Sequence, residues 1–268
     1  TLSLHDALPI CLTVTIVEAA PHILAPFDTD MIGPVEAELR QNGITLVQQN
    51  GVKEFQHQAD GTVTVELGDG QRLPADFVVL AIGVRPDTAF LQDSGILLTD
   101  RGHIVVDKFM RTNAPDVYAV GDAVMTIDHQ TGNKMALPLA GPANRQGRLA
   151  ADNIAGLQRE YHGVQGSSIL KVFSLIAAAT GKNERTLQKE GLVYGKDYRF
   201  TITYPASHAG YYPGATNFAL KMIFRLSDGR VLGAQAVGQD GVDKRIDVLA
   251  AIIRQQGTIE DLMDLELS

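Results

Sequence analysis

The stretch Thr112-Asn-Ala-Pro-Asp-Val-Tyr-Ala-Val-Gly-Asp122 is the part of the sequence that decides the fold. Its pattern predicts a short apolar strand at residues 117–120 that ends in Gly121 and delivers the Asp122 carboxylate at the strand's carboxyl end. Open α/β sheets bind nucleotides at that edge. Gly121 permits close backbone approach, and Asp122 can accept hydrogen bonds from ligand hydroxyls. A bare Gly-Asp pair would predict only a turn, but the whole eleven-residue string is more specific.

Composition excludes several classes of protein. The chain has 268 residues, enough for one large domain or two to three small ones, and 45% hydrophobic residues are ample for packed cores. A net charge of -8 without a basic stripe argues against nucleic-acid binding. Every apolar run is shorter than a bilayer span, so no membrane segment is predicted. The single cysteine, Cys11, excludes an internal disulfide framework and favours a cytoplasmic location.

The first ten residues do not match the pattern that follows. Residues 1–10 lack an initiator Met and fit no later element. They resemble the translated sequencing-adapter scar found at the ends of assembled environmental genes, so we exclude them from fold prediction. The alternative is a genuine short leader. No secretory signal and no metal site are predicted.

The next part of the chain predicts a series of strands around one helix. Residues 12–17 form a β-branched strand closed by Glu18. Asp28 can cap a helix that runs to about residue 42, and Asp69-Gly70 is a strong hairpin turn signal. Further strands are predicted at residues 44–47, 52–55, 63–67 and, as a run buried on both sheet faces, 77–82.

Glu18 is a candidate nucleotide ligand. In a dinucleotide fold, an acid about 20 residues beyond a Gly-x-Gly-x-x-Gly turn binds the ribose hydroxyls of NAD. Those glycines are absent from the start of this sequence, so we expect the chain to begin just after that turn. A carboxylate here would favour NADH over NADPH weakly, because it repels a 2′-phosphate. The alternative is an ordinary acid on a solvated strand edge.

A second unit is predicted from Pro86 to about residue 161. It contains a short strand at 104–107, the motif described above, and a helix at 141–156. The N-terminus of that helix carries about half a positive charge and free N–H groups. One face of the helix is predicted from its small residues: Ala143, Gly147, Ala150, Ala151 and Ile154.

A third unit begins at about Val164 and has a different character. Strands are predicted at 200–204, 218–226 and 231–237, the last two joined as an antiparallel hairpin by the loop 227–230. A helix follows, with one face made of Val242, Ile246, Leu249, Ala250 and Ile253. An antiparallel sheet with helices at one side is an α+β module rather than another dinucleotide domain.

In this order the pieces resemble the C-terminal part of a pyridine nucleotide-disulfide oxidoreductase. Four strings are similar to the coenzyme A-disulfide reductase and NADH oxidase group: Val79-Leu-Ala-Ile-Gly-Val-Arg-Pro86, Leu139-Ala-Gly-Pro-Ala-Asn-Arg-Gln-Gly-Arg148, His208-Ala-Gly-Tyr-Tyr-Pro-Gly214 and Gly241-Val-Asp-Lys-Arg-Ile-Asp247. The resemblance implies an α/β plus α+β fold, an incomplete two-dinucleotide-binding-domain flavoprotein with a C-terminal antiparallel interface domain. The implied domains are a scar at 1–10, a partial NAD(H)-binding domain at 11–86, the C-terminal part of an FAD-binding domain at 87–163, and a dimerisation domain at 164–268.

The resemblance also implies the cofactors, FAD with NAD(H) or NADP(H), and their ligands. Asp122 would hold the ribityl chain of FAD, next to Gly121, and the helix start at 139–140 would supply backbone donors near the flavin carbonyl. The implied cofactor-binding residues are Gly121, Asp122, Leu139 and Ala140 for FAD, and Glu18, Ile82 and Gly83 for the nicotinamide nucleotide.

Tyr211 is the catalytic candidate that the resemblance implies. In the family the interface domain pairs two subunits, and a matching tyrosine reaches the partner's active site beside the redox cysteine. Its phenol could donate a hydrogen bond to a thiolate leaving group or to substrate. The alternative is an aromatic loop that packs at the dimer interface, and we assign that role to His208 and Tyr212.

Two departures from the family limit the expectation. The redox cysteine lies in a region that this sequence does not contain, and Cys11 does not match it. The chain stops where relatives continue, some into a rhodanese domain. We therefore expect truncation at both ends, and an isolated chain that lacks flavin and activity.

The implied function is electron transfer from NAD(P)H through FAD and a cysteine to a disulfide such as coenzyme A disulfide. The same scaffold also serves NADH oxidases, NADH peroxidases and persulfide reductases. A non-catalytic dimerising remnant is another alternative. A ferredoxin-reductase-type electron carrier would give the Gly-Tyr-Tyr-Pro loop no role.

Overall fold

The computed structural model describes residues 12–267, so the predictions for residues 1–10 and for Cys11 lie outside the described residues. The chain forms two compact units. The first joins the chain up to Leu80 with the chain from Ser167 onward, and the second comprises Ala81–Gly166. Among residues 12–267, no helix is long and apolar enough to cross a membrane.

The first unit begins with a parallel strand pair joined by a helix. Strand β1 (Thr15–Glu18) pairs with β2 (Thr45–Gln48), and Glu18 lies opposite Gln48 at their carboxyl ends. Helix α1 (Thr29–Gln41) connects them. Four apolar residues at helical spacing form its buried face: Met31, Ile32, Val35 and Leu39.

Asp28 corrects one detail of the sequence prediction. It occupies the N-cap position of α1 with extended backbone angles, φ -86° and ψ 158°, but its side chain makes no cap hydrogen bond. The carboxylate instead accepts hydrogen bonds from the Glu184 N–H at 3.0 Å and the Gln235 side chain at 2.6 Å. These residues are about 150 to 200 positions away in sequence, so local capping rules do not describe this aspartate.

A three-stranded antiparallel sheet follows, made of β3 (Val52–His57), β4 (Val63–Leu67) and β5 (Arg72–Ala75). The predicted Asp69-Gly70 turn is confirmed, because the Gly70 N–H donates to the Leu67 carbonyl at 3.0 Å. Glu66 on β4 is paired with Lys53 on β3 at 2.6 Å and with Arg72 on β5 at 3.1 Å.

The strand predicted at residues 77–82 is wrong for this structure. These residues have no strand assignment and make no backbone hydrogen bond with any described residue. Their apolar side chains are exposed, and Ile82 reaches 90%. A run buried on both faces needs neighbouring strands and covering helices, and the described chain places none along it. Hydrophobicity alone therefore predicted an element that lacks its partners.

The rest of the first unit is a five-stranded antiparallel sheet. Its strands are β9 (Ser168–Val172), β10 (Leu175–Gly181), β11 (Tyr198–Thr203), β12 (Ala219–Arg225) and β13 (Val231–Gly238), in the order β11-β12-β13-β10-β9. Helices α3 (Glu184–Lys189), α4 (Val242–Arg254) and α5 (Ile259–Met263) complete it. The predicted β12–β13 hairpin is confirmed. So is the apolar face of α4, in which Val242, Ile246, Leu249 and Ile253 are buried.

This sheet lies between two helices. On one face α1 packs with Ala177, Ala179 and Val237, and on the other α4 packs with Ala178, Ala234 and Ala236. All eight residues of the central strand β13 are buried as a result. Within the sheet, Gly233 on β13 lies very close to the backbone of Lys182, which follows β10. A Cβ at residue 233 would lie 1.8 Å from the Lys182 carbonyl oxygen.

The second unit is smaller. Strand β6 (Ile104–Val105) pairs in parallel with β7 (Val124–Ile127), which pairs antiparallel with β8 (Lys134–Met135). Helix α2 (Ala140–Ile154) packs over a core of Met110, Ala150, Tyr161 and Val164.

The strand predicted at residues 117–120 is also wrong. This segment makes only an isolated antiparallel bridge, between Arg111 and Tyr118, and two of its valines are 39% exposed. No neighbouring strand continues the pairing within the described chain. The regular strand is β7, which begins after Gly121 rather than before it. Asp122 therefore lies in the turn that enters β7, not at the carboxyl end of a strand.

Candidate functional site

The Gly121–Asp122 turn is fixed against helix α2. The Gly121 N–H donates to Oε1 of Gln146 at 2.7 Å, and Gln146 is buried in the helix. Gly121 has φ of 87°, a left-handed conformation that glycine adopts without strain. The Asp122 side chain is exposed, and no described residue hydrogen-bonds to it. The turn thus has its backbone fixed at Gly121 and presents a carboxylate with its acceptor capacity unused.

The first turn of α2 offers hydrogen-bond donors. Leu139 is the N-cap residue, with φ -136° and ψ 143°, and its own N–H donates to the Leu137 carbonyl at 2.9 Å. Among described residues nothing accepts from the N–H groups of Ala140 and Gly141, and Pro142 has none to offer. Of the predicted pair of donors, Ala140 is free and Leu139 is engaged. The free N–H groups and the helix dipole suit an electron-rich oxygen.

The two features lie along one helix. Gln146, which holds the turn, is six residues beyond Ala140, or about 9 Å along the helix axis. A ligand that meets both must therefore be elongated, with hydrogen-bond donors near Asp122 and an acceptor near Ala140.

The buried face of α2 differs from its prediction. It consists of Gln146, Ala150 and Asn153, whereas Ile154 is 67% exposed. Asn153 donates to the carbonyls of Phe109 at 3.0 Å and Arg159 at 2.8 Å and accepts from the Arg159 N–H at 2.6 Å. Both buried amides satisfy loop backbone groups, which the small-residue pattern did not reveal. Gln146 lies in the quoted string 139–148, and that was the available signal.

Glu18 stands at the carboxyl end of β1, as predicted. Its Oε1 accepts from the Ala20 N–H at 2.8 Å, which fixes the carboxylate over the start of the following loop. The loop after β2 is hydrogen-bonded to the end of β1 and to the loop that follows it. The Asn50 N–H donates to the Glu18 carbonyl at 3.3 Å, and the Gln49 N–H donates to the Ala20 carbonyl at 3.1 Å.

An open cleft of about 690 Å³ adjoins this edge of the parallel strand pair. It is lined by Leu46, Val47, Gln48, Gln49, Asn50, Gly51, Gly68, Asp69 and Gln71. Amide side chains dominate the wall, so the cleft can exchange hydrogen bonds with a polar ligand.

Ile82 and Gly83 belong to the second unit, and Glu18 belongs to the first. Ile82 is exposed, and Gly83 has φ of 96°. The grouping of these two residues with Glu18 stays a prediction.

Tyr211 lies at the tip of an exposed aromatic loop, residues 208–215. It is 85% exposed, and its ring centroid is 5.0 Å from that of Tyr212. Tyr212 meets His208 edge to face at 5.8 Å. The base is closed by Ser207, whose N–H donates to the Thr216 carbonyl at 2.8 Å. The loop is therefore anchored at its base and presents Tyr211 outward.

The sequence did not reveal a buried charged cluster around Lys221 on β12. The Lys221 ammonium lies 2.7 Å from Asp30, 2.9 Å from Glu184 and 3.1 Å from Asp28, and it sits 4.0 Å from the Phe200 ring centroid. Its side chain has no exposed surface. A lysine in an alternating strand gives no sequence signal for such burial, since lysines usually lie outside.

Comparison with known proteins gives the family of the chain. Residues 6–147 match the family model described as pyridine nucleotide-disulphide oxidoreductase, and residues 167–266 match the dimerisation domain of that family. The chain is 33% identical over 258 residues to the NADH oxidase of Methanocaldococcus jannaschii, covering 95% of this chain and 55% of that protein. It is 29% identical to the coenzyme A disulfide reductase of Staphylococcus epidermidis, covering 96% and 56%.

A solved structure shows the same fold. The NAD-dependent persulfide reductase from A. fulgidus superposes with a TM-score of 0.92 and 34% identity, covering 99% of this chain and 49% of that one. The chain spans about half the length of the curated relatives it matches. The predicted fold class, α/β with an antiparallel interface module, is confirmed. The chain belongs to the pyridine nucleotide-disulphide oxidoreductase family.

Proposed function

We propose that this protein is an FAD-dependent oxidoreductase that passes electrons from NAD(P)H through flavin and a cysteine to a small-molecule disulfide such as coenzyme A disulfide. Family membership and the similarity to a protein named coenzyme A disulfide reductase support the proposal. The observation that carries it is the Gly121–Asp122 turn held on α2 at Gln146. That turn presents a free carboxylate, and the helix that holds it has free N–H groups in its first turn.

The donor set of this turn and helix fits FAD. Asp122 would accept hydrogen bonds from the ribityl hydroxyls, and Gly121 would let the chain pass close to the backbone. Ala140, next to the N-cap Leu139, would donate its N–H to a ring carbonyl, and the helix dipole would favour negative charge there. When bound, flavin supplies two-electron transfer between a nicotinamide and a disulfide. The chain's own residues orient that group and hold its oxygens.

Glu18, Ile82 and Gly83 are proposed to bind the nicotinamide nucleotide. The Glu18 carboxylate would accept from ribose hydroxyls at the carboxyl end of β1. Because a carboxylate repels a 2′-phosphate, we expect NADH to be preferred to NADPH. Gly83 would let the nucleotide approach the backbone beside the exposed Ile82.

The C-terminal module is proposed to form a cytoplasmic homodimer, consistent with the match to a dimerisation domain. We propose domain boundaries at residues 11–86, 87–163 and 164–268. Tyr211 would extend into the partner subunit's active site, where its phenol donates a proton or hydrogen bond to the thiolate leaving group.

The function is tested by NADH oxidation in the whole protein without oxygen. With coenzyme A disulfide, we expect one NADH and one proton to convert one disulfide into two thiols and NAD⁺. The thiol produced is quantified with a chromogenic reagent, and the NADH consumed is followed by its absorbance. NADH oxidation that needs no disulfide, with no thiol formed, would contradict the reductase assignment.

An NADH oxidase is the second candidate, favoured by the 33% identity to the NADH oxidase of Methanocaldococcus jannaschii. The same assay in air separates the two candidates. An oxidase consumes oxygen in proportion to NADH without added disulfide. A reductase shows little oxygen uptake and a large response to disulfide.

The role of Tyr211 is tested with Tyr211→Phe, and Tyr212→Phe is its matched control. Removing a positioned hydrogen-bond donor is expected to lower kcat for disulfide reduction by about 10²-fold or more. The neighbouring exchange should leave kcat within about threefold, because Tyr212 packs against His208. Equal effects of both exchanges would reduce Tyr211 to a packing residue.

The 268-residue chain by itself is expected to purify colourless and to show no NADH-dependent disulfide reduction. No glycine-rich cradle for a diphosphate occurs in its sequence, so flavin would bind too weakly to survive purification. A yellow preparation with stoichiometric flavin would refute this expectation.

A further inference from the structure

The loop that follows Glu18 is attached to the module that contains the five-stranded sheet β9–β13. This sheet will be called the interface sheet, and the sheet with its helices the interface module. Residues 19–27 connect the carboxyl end of β1 to helix α1, and this connection will be called the ribose loop. Its Ala25 carbonyl accepts hydrogen bonds from the Asn183 side chain at 3.0 Å and the Arg185 guanidinium at 2.5 Å. Phe27, 1% exposed, packs into the core beside the sheet. The middle of the ribose loop is therefore held by residues about 160 positions away in sequence.

The far end of the loop is held by a buried charge. Lys221 on β12 donates to both carboxylate oxygens of Asp30, at 2.9 and 2.7 Å, and to Glu184 at 2.9 Å. Asp28, which directly follows the ribose loop, lies 3.1 Å from the same ammonium. One cation thus binds the first turn of α1 to helix α3 and to the centre of the interface sheet.

Asp28 connects these parts further. Its N–H donates to Oε1 of Gln235 at 2.8 Å, and its carboxylate accepts from the Gln235 amide and from the Glu184 N–H. Gln235 is a buried residue of the central strand β13. The N–H and the carboxylate of Asp28 are therefore bonded by the interface module, and only its carbonyl is bonded by its own helix, to the Met31 N–H at 3.0 Å.

The charge balance of the cluster makes Lys221 its central member. Three carboxylates surround one ammonium, so removal of the lysine leaves two acids at the start of α1 facing Glu184 without a cation. Like charges that share a buried site repel and force the groups apart or neutralise them. The ribose loop, which has no helix or strand ladder of its own, is the neighbouring segment expected to move.

We infer that Lys221 is a positioning residue for the ribose loop, through which the interface sheet sets the geometry of the nucleotide-binding carboxylate Glu18. The inference rests on the proposed nucleotide role of Glu18, since the loop's near end carries that residue. It makes NAD(P)H binding dependent on the integrity of the interface module, although no residue of the sheet touches nucleotide in this role.

Amide hydrogen exchange of the 268-residue chain tests the positioning directly. The variants are Lys221→Met and Asp30→Asn, which removes only one of the three acids and is the milder change. Ile246→Ala is the matched control, because Ile246 is buried on the opposite face of the same sheet and touches neither cluster nor loop. Each of the first two variants is expected to speed exchange in residues 19–27 by about tenfold or more, relative to β13.

The control Ile246→Ala should accelerate exchange throughout the first unit, with no larger effect in the ribose loop than elsewhere. If Lys221→Met and Asp30→Asn leave the exchange of residues 19–27 unchanged relative to β13, the inference is wrong. If Lys221→Met fails to fold, the Asp30→Asn result decides alone.

Ligand titrations separate this inference from the proposed function. Asp30→Asn is expected to raise the Kd for NADH about threefold or more while leaving the Kd for FAD unchanged, because the FAD residues lie in the other unit. Ile246→Ala, which destabilises the same unit from the other face of the sheet, should leave the Kd for NADH unchanged. Wild-type chain that binds no NADH, with loop exchange still accelerated in the variants, would count against the proposed nucleotide site while the positioning role of Lys221 stands.

Discussion

Asp28 and Asp122 show two opposite uses of a carboxylate in one chain. Asp28 is 7% exposed, and its oxygens are engaged by Lys221, Gln235 and the Glu184 N–H. Asp122 is exposed and has no described partner, although its turn is fixed by Gln146. The first carboxylate has its bonding capacity used within the fold. The second is held in place with that capacity free, which is the arrangement expected of a ligand-binding acid.

The largest effect should come from breaking the satisfied cluster. Lys221→Met is expected to destabilise the chain by about 3–5 kcal/mol, because it leaves buried carboxylates without their cation. Urea unfolding followed by circular dichroism measures the loss. The matched control is Lys171→Met, an exposed lysine on strand β9 of the same sheet, which should change stability by less than about 0.5 kcal/mol. A similar small change for Lys221→Met would remove the distinction between the two carboxylates.

A smaller effect should follow from straining the turn that carries Asp122. At Gly121, φ is 87° and a Cβ would meet no atom within 4 Å, so Gly121→Ala costs only backbone strain, about 1–2 kcal/mol. Gly147→Ala, in the interior of α2 and equally open, should instead stabilise by about 0.5–1 kcal/mol. Thermal unfolding of the two variants measures this difference. A neutral Gly121→Ala would mean that the left-handed turn is not required.

The third effect is an alkaline dependence of stability. Burial alone would lower the pKa of Lys221, but hydrogen bonds to Asp30 and Glu184 outweigh it and raise the pKa above the ordinary lysine value of 10.5. The pKa of Tyr198 is also raised, above 10.0, in this case by burial itself, because burial disfavours the charged phenolate. Groups with raised folded-state pKa values contribute stability that is complete below their unfolded values and is lost as pH rises through the folded ones.

Stability of the wild type should therefore fall between about pH 10 and the folded-state pKa values of these two groups. In Lys221→Met only the contribution of Tyr198 to this pH dependence remains, so the unfolding free energy should fall less steeply as pH rises. Unfolding free energies measured from pH 8 to 11.5 provide the check. Identical slopes in the two proteins would contradict the raised pKa of Lys221.

The smallest effect concerns two ion pairs in which the cations are exposed and share the acid Glu66. Hydrogen bonds from Lys53 and then Arg72 lower the pKa of Glu66 below its ordinary value of 4.5. This contribution is present above pH 4.5 and is lost as pH falls through the lowered pKa. Both cations are largely exposed, so Glu66→Gln should shift the melting temperature least of the four changes, and only above that range. Glu54→Gln on the same sheet is the control, and a larger shift for it would contradict the assignment.

Much of the interface module was predictable from sequence, because its signals are local. The alternation in β12, the Ser227–Arg230 turn and the apolar spacing of α4 each lie within one element or one hairpin. The parallel pair β1–β2 with its helix was predictable for the same reason.

The failures have a common physical cause. Residues 77–82 and 117–120 are apolar, but a strand forms only where another strand satisfies its backbone, and sequence hydrophobicity does not report that partner. The Lys221 cluster joins residues 191 positions apart, so no window of sequence contains it. In the candidate site the Gly121–Asp122 pair and the start of α2 were found, whereas the Gln146 link between them was not.

The central claim is that the Asp122 carboxylate, which has no partner among the described residues, binds the flavin cofactor. FAD titration of the 268-residue chain, followed by flavin fluorescence, tests it with three proteins: wild type, Asp122→Ala and Asp116→Asn, a neighbouring exposed acid in the same segment. We expect weak but measurable binding by the wild type and by Asp116→Asn, a Kd raised about tenfold or more by Asp122→Ala, and equal melting temperatures for the wild type and Asp122→Ala. Equal FAD affinity with and without the Asp122 carboxylate, or no binding by any of the three, would contradict the account.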